Sequence, residues 1–337
     1  MPRPGRRTNL GLLLLVVIAL ITGVLAFAVG DVPAVRVIVA VHGAAGLGVL
    51  LLVPWKFVIV RRGLRRPGRA RTLAGLGLVV LVFVAVGSGL LHALGGFELR
   101  WGVLPMQLHV GVALVAVPLL GWHLWVHRRR REFLPRRTDV SRRAALQAGA
   151  LTAGSAALYF LAPGLPRRET GSHEVGSGRP AVMPVTQWLF DAIPALDEAG
   201  WRLGVPGGGL TLADLAAMPW RTERAILDCT GGWYAEQDWR GVPLEALLGG
   251  SLGGSGSSGG RSVEVVSVTG YRRLFPLDDV AGLLLATHAG GQPLSAGHGG
   301  PARLVAPGRR GFWWVKWVSR IELVDKPWWW QPPFPTQ

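Results

Sequence analysis

One cysteine, Cys229, is all that the 337 residues contain. No internal disulfide can therefore brace the fold, and the sulfur matters either as a small buried hydrophobe or through its thiolate. Acidic residues are also scarce, 20 against 36 lysines and arginines, for a formal net charge of +16. The imbalance is confined to residues 1–143, because from Ala144 onward basic and acidic residues match one for one. A chain-wide basic surface for nucleic acid is thereby excluded.

The first half has long apolar runs in place of acidic residues: 10–29, 35–60, 72–94 and 104–126, with a shorter, alanine-rich fifth run at 144–162. The first four reach or exceed the ~20 residues that cross a bilayer core. Basic residues cluster at Arg3, Arg6 and Arg7, then at Arg61 and Arg62 with Arg65, Arg66, Arg69 and Arg71, and again at Arg128 to Arg131 with Arg136, Arg137, Arg142 and Arg143. The alternate connections carry Asp31 with Arg36 and Glu98 with Arg100, without positive excess. The positive-inside rule then predicts an integral protein of the cell membrane, embedded in the lipid bilayer with its N-terminus cytoplasmic and everything after the fifth helix extracytoplasmic. The run Ser141-Arg142-Arg143-Ala144-Ala145-Leu146 resembles a twin-arginine export signal placed inside the chain, with alanine where an aromatic usually stands. Its other reading is the positive flank of a membrane helix.

Histidine is rare in lipid-facing helix and is a functional hypothesis there. At the helical rise per residue, His42 and His109 fall about 8 and 9 Å to the outer side of their helix midpoints. Two helices thus offer imidazole at one depth, as two axial ligands of a single haem b require. His92 lies nearer the outer surface and is an alternative ligand or a propionate contact; His123 and His127, four apart on one helix, cannot clasp a haem without a partner. The alternative is that these histidines cap helices or bond between them. In pattern, the helical half is similar to the bacterial cytochrome b family of membrane electron carriers.

The remainder reads as a mixed α/β domain rich in strand. Residues 200–205, 263–268 and 320–324 alternate as strands do, 211–217 and 243–248 form short helices with Thr211 as cap, and 249–260 is a glycine and serine loop. Residues 328–334, with three consecutive tryptophans, are expected to pack inward as a flap, the alternative being the membrane interface.

Cys229 stands in Leu227-Asp228-Cys229-Thr230-Gly231-Gly232-Trp233, shortly before Trp239-Arg240-Gly241-Val242-Pro243-Leu244. A second segment holds His298, Gly299, Gly300, Pro301, Arg303, Leu304, Val305, Pro307, Gly308, Gly311, Val315, Lys316 and Trp317. Together they resemble, in residue type and order, the two motif segments of the sulfite-oxidase-type molybdopterin-binding domain, over residues 184–332. The resemblance implies a molybdenum–molybdopterin cofactor with Cys229 as metal ligand and His298, Arg303, Lys316 and Gly311 as cofactor contacts. A soft thiolate suits molybdenum, and an anionic pterin needs donors and close backbone approach. The glycines also fit ordinary turns. Arg303 and Lys316 sit in apolar, strand-like surroundings where an unpaired charge would be costly.

No arginine follows Cys229 directly, so the substrate stays open. Tyr271 and Arg272 are candidate catalytic residues; Arg273, Arg309, Arg310 and Trp233 are further candidates for the pocket. The combined expectation is a four-helix, all-α transmembrane bundle at 1–130, a basic loop, signal, fifth tethering helix and linker at 131–180, and an extracytoplasmic molybdopterin-binding domain at 181–337. Oxo transfer on a small-molecule substrate would exchange electrons through the haem with the quinone pool or a redox partner protein. The alternatives are a molybdenum enzyme whose helices only anchor it, and a non-catalytic binding module on the same fold.

Overall fold

In a computed structural model of the chain, the residues described are 5–64, 69–97, 103–127, 141–162, 164–187, 191–249 and 261–335. They form two compact units, Met1–Phe27 with Pro33–His173, and Ala28–Val32 with Glu174–Gln337. Arg65, Arg66, Glu98, Arg100, the 128–137 basic block and the 250–260 part of the glycine and serine loop lie outside the described residues.

The first unit consists of α1 (Arg6–Ala28), α2 (Pro33–Leu64), α3 (Arg69–Gly95), α4 (Pro105–His127) and α5 (Arg142–Leu161). All five are long and apolar enough to cross a membrane by length and composition. Two helices, α2 and α4, open on proline, whose fixed φ suits the first helical position. α5 starts at Arg142 because Ser141 caps it, its hydroxyl accepting from the Ala144 N–H at 3.2 Å. α3 packs along α4 and α2 along α5. Gly43 of α2 lies directly beneath the Tyr159 ring of α5, where a β-carbon would collide.

The second unit is built on two sheets. One joins β1 (His173–Glu174), β5 (Trp233–Pro243), β8 (Leu284–Ala289) and β10 (Arg303–Val305) in that order, with β4 (Arg221–Cys229) on β5 and β9 (Gln292–Pro293) on β8. The other runs β3 (Gly208–Leu210), β2 (Leu203–Val205), β11 (Val318–Val324), β6 (Ser262–Ser267), β7 (Arg272–Pro276). The strands expected at 200–205, 263–268 and 320–324 are β2, β6 and β11, with shifted ends. The two short helices are α6 (Leu212–Ala217), closed by a reciprocal Thr211–Asp214 capping box, and α7 (Leu244–Leu248).

β5 shows how sequence sets burial. Trp233, Ala235, Gln237 and Trp239 point inward while Asp238 and Arg240 stay exposed, the two-residue period of a strand with one face on the core. Trp239 is fully buried and meets Trp314 edge-on, ring centres 5.3 Å apart.

Two expectations require correction. Trp313 and Trp314 do not lie in a strand: Gly311–Trp313 is a 3-10 turn, because the chain bends where Gly311 approaches the Cys229 backbone. The tryptophans of 328–334 do not all pack inward, since Trp329 and Trp330 are 60% and 68% exposed. The segment is held through Gln331, which donates to Leu274 O at 2.8 Å and accepts from Leu274 N–H at 3.0 Å, and this grip leaves both indoles outside.

Candidate active site around Cys229

Antiparallel pairing of β4 and β5 ends at Cys229 opposite Trp233, so the cysteine occupies the tip of a hairpin turned by Thr230, Gly231 and Gly232. Its sulfur lies 3.2 Å from Thr186 Oγ1 and receives the Gly231 N–H at 3.3 Å. Gly311 passes so closely that a β-carbon would stand 3.0 Å from Cys229 Cα, a tight contact that a larger side chain makes only if the cysteine backbone gives way. Behind the cysteine, Asp228 and Arg310 form an ion pair, each side chain under 10% exposed, and Arg310 Nη2 reaches Cys229 O at 3.4 Å.

The second segment supplies cations. Arg303 in β10 is fully buried, donates from Nη1 to His298 O at 2.9 Å, and keeps Nε without a hydrogen-bond partner among the described residues. Lys316 Nζ donates to Gly297 O at 2.8 Å and to Thr186 O at 3.3 Å. His298 is tied at both nitrogens, to Ser295 Oγ at 2.8 Å and Met183 O at 2.9 Å. Burial lowers its pKa, and Arg303 and Lys316 nearby push the same way.

Burial, reinforced by Arg303, lowers Lys316 from 10.5 to about 7, while the thiolate of Cys229 opposes the shift. Among the described residues neither cation has a carboxylate in its hydrogen-bond set. This is an environment that favours an incoming anion. Above about 7 the folded side chain is neutral, whereas the unfolded one stays protonated up to 10.5, so unfolding takes up a proton and stability rises with pH across that window. Thermal unfolding of cofactor-free protein is expected to show this rise in the wild type and a flatter one in Lys316→Met; equal slopes would assign it to other groups.

The structure thus brings Cys229, Arg303 and Lys316 into one electrostatic cluster, with His298 on its flank and Gly311 against the cysteine backbone. Other candidates find different partners. Tyr271 donates to Phe312 O and accepts from Arg273 Nε at 2.7 Å, and burial raises its pKa. Arg272 is half exposed and faces Glu264 at 3.9 Å. Arg309 pairs with Asp279, while Arg273 stacks over the rings of Tyr271, Phe312 and Trp313. Thr186 and Asp228 went unidentified as site residues in the sequence. No motif marks Thr186, which reaches the sulfur only through the fold.

A second cluster lies within the helical unit. The rings of His42 and His109 stand 5.7 Å apart, and each Nδ1 is bonded to a backbone carbonyl, Ala19 O at 2.9 Å and Ala85 O at 2.6 Å. His92 uses Nε2 on Gly171 O at 3.0 Å and pairs its ring with His173.

Comparison with known proteins adds the following. The family model described as the oxidoreductase molybdopterin binding domain matches residues 191–330. The chain is 29% identical over 168 residues to the mitochondrial sulfite oxidase of Macaca fascicularis, covering 39% of this chain and 30% of that one. It is 45% identical over 58 residues to the NADPH nitrate reductase of Mycosarcoma maydis, covering 17% and 6%. The solved sulfane dehydrogenase SoxCD of Paracoccus pantotrophus superposes with a TM-score of 0.36 at 31% identity, over 40% of each chain. This chain spans under a third of the length of these curated relatives.

Proposed function

We propose that this chain, whose C-terminal half carries a molybdopterin-binding oxidoreductase domain of the sulfite oxidase type, is a membrane-anchored enzyme that moves an oxygen atom to or from a small substrate at a molybdenum held by Cys229. The supporting observation is the fully buried Arg303, with the partly buried Lys316 near it, beside the chain's single thiol. A buried cation with an unpartnered N–H costs stability unless an anion completes it, and the pterin cofactor is such an anion. The residues present therefore fit the group. When bound, it supplies two-electron oxidation and reduction coupled to oxygen-atom transfer.

The chain's own residues act around that chemistry. Cys229 offers a soft ligand, fixed in direction by the hairpin tip and by Arg310 on its carbonyl. Arg303 and Lys316 neutralise negative charge, and His298 holds the turn on which both cations rest. Tyr271 braces the loop carrying Gly311 through Phe312 O. Arg272, exposed at the start of β7, is the candidate of the pair for a substrate contact.

Apolar length and the three basic blocks support a topology with a cytoplasmic N-terminus and an external catalytic domain. Ser141-Arg142-Arg143, opening α5, supports export by the twin-arginine route. We further assign one haem b to His42 and His109, exchanging electrons with the quinone pool or a redox partner protein. The two imidazole rings stand 5.7 Å apart, so both could reach one iron. A carbonyl on each Nδ1 orients Nε2 for a metal, whereas the Nε2 of His92 is taken by Gly171.

Detergent-purified full-length protein is expected to contain molybdenum near one per chain and a b-type band in its reduced-minus-oxidised spectrum. His42→Ala and His109→Ala should each abolish the band and leave the molybdenum content unchanged. Molybdenum without the band would reduce the helices to an anchor, and absence of both would sink the enzymatic reading.

A further inference from the structure

Among the described residues, Thr186 is the side chain whose hydroxyl meets the Cys229 sulfur, and its surroundings fix the polarity of that hydrogen bond. Trp233 Nε1 stands 3.1 Å from Thr186 Oγ1, and an indole nitrogen can only donate. That N–H occupies a lone pair of the threonine oxygen. The hydroxyl proton is then left for the sulfur at 3.2 Å, and a metal-bound thiolate can only accept. Lys316 holds the same threonine from behind through its carbonyl at 3.3 Å.

We propose that Thr186, oriented by Trp233, is a positioning residue that donates a hydrogen bond to the ligating sulfur and so sets the reduction potential of the metal bound there. The Gly231 N–H at 3.3 Å is the second donor to that sulfur. Hydrogen bonds to a ligand sulfur withdraw electron density from it, weaken its donation to the metal and make the reduced state easier to reach. Losing one donor should therefore lower the potential. Backbone geometry protects the Gly231 bond from substitution, which leaves Thr186 as the adjustable member of the pair.

The proposal rests on Cys229 holding molybdenum, so the metal content of the wild-type full-length protein is measured first. Potentiometric titration then follows the one-electron midpoint of the molybdenum in the wild type and in Thr186→Val, Thr186→Ser and Trp233→Phe. Thr186→Val is nearly isosteric but has no donor, and it should favour the oxidised state by roughly tenfold, a fall of about 59 mV for one electron. Thr186→Ser should titrate with the wild type. Trp233→Phe keeps the hydroxyl but frees its lone pair, so its midpoint should fall part of the way.

A wild-type midpoint in Thr186→Val, or an equal shift in Thr186→Ser, overturns the proposal and leaves the molybdenum assignment intact. If Thr186→Val fails to retain metal, Trp233→Phe decides, an unmoved midpoint counting against the proposal. Wild-type protein without molybdenum overturns both readings.

Discussion

Replacing Cys229 by serine is expected to lower turnover by more than about 100-fold, since loss of a direct ligand should exceed the 10–100-fold effects of outer partners. The exchange alters one atom, so the hairpin tip should persist, with Thr186 and Gly231 still placed to donate to the new oxygen. What disappears is the match between a soft sulfur and molybdenum. Metal content, sulfur-to-metal charge-transfer absorption and turnover with a panel of small oxygen-atom donors and acceptors would be compared in the purified variant. Unchanged absorption and turnover would exclude Cys229 as the ligand and return it to the role of a small packing residue.

The largest effect on stability is expected at Asp228 and Arg310. Both side chains are under 10% exposed, so removing either partner takes from the other its counter-charge in the interior, at a cost of about 3–5 kcal/mol. Asp228→Asn and Arg310→Met should each lower the unfolding temperature of the catalytic unit, measured by calorimetry on the full chain. The double substitution Asp228→Leu with Arg310→Met removes both charges together and should recover much of the loss. The pair adjoins Cys229, the proposed metal ligand, so on that proposal metal occupancy should fall with each single change and return in the double variant. Single costs below about 1 kcal/mol would mean that the pair behaves as a solvated surface bridge.

The helical half was legible because a bilayer demands uninterrupted apolar length, a property of local composition. That Cys229, Arg303 and Lys316 come together in one cluster was legible from the two motif segments that carry them. Strand ends were less so. The run expected at 200–205 shrinks to β2 because strand length is set by the neighbour available for pairing, here β3 and β11. Trp313 and Trp314 read as strand by their β-propensity, but the approach of Gly311 to Cys229 bends the chain there.

By itself the sequence determined the division into an apolar helical half and a charge-balanced α/β half, the one thiol, and the placing of His42 and His109 on different helices. Each follows from residue type and spacing along the chain. Only the tertiary structure decided that Thr186 faces the sulfur, that Arg310 belongs to Asp228 and not to an open anion site, and that Trp329 and Trp330 face outward. Such pairings join positions 43 and 82 residues apart, and the packing that closes those loops leaves no periodic trace in the chain.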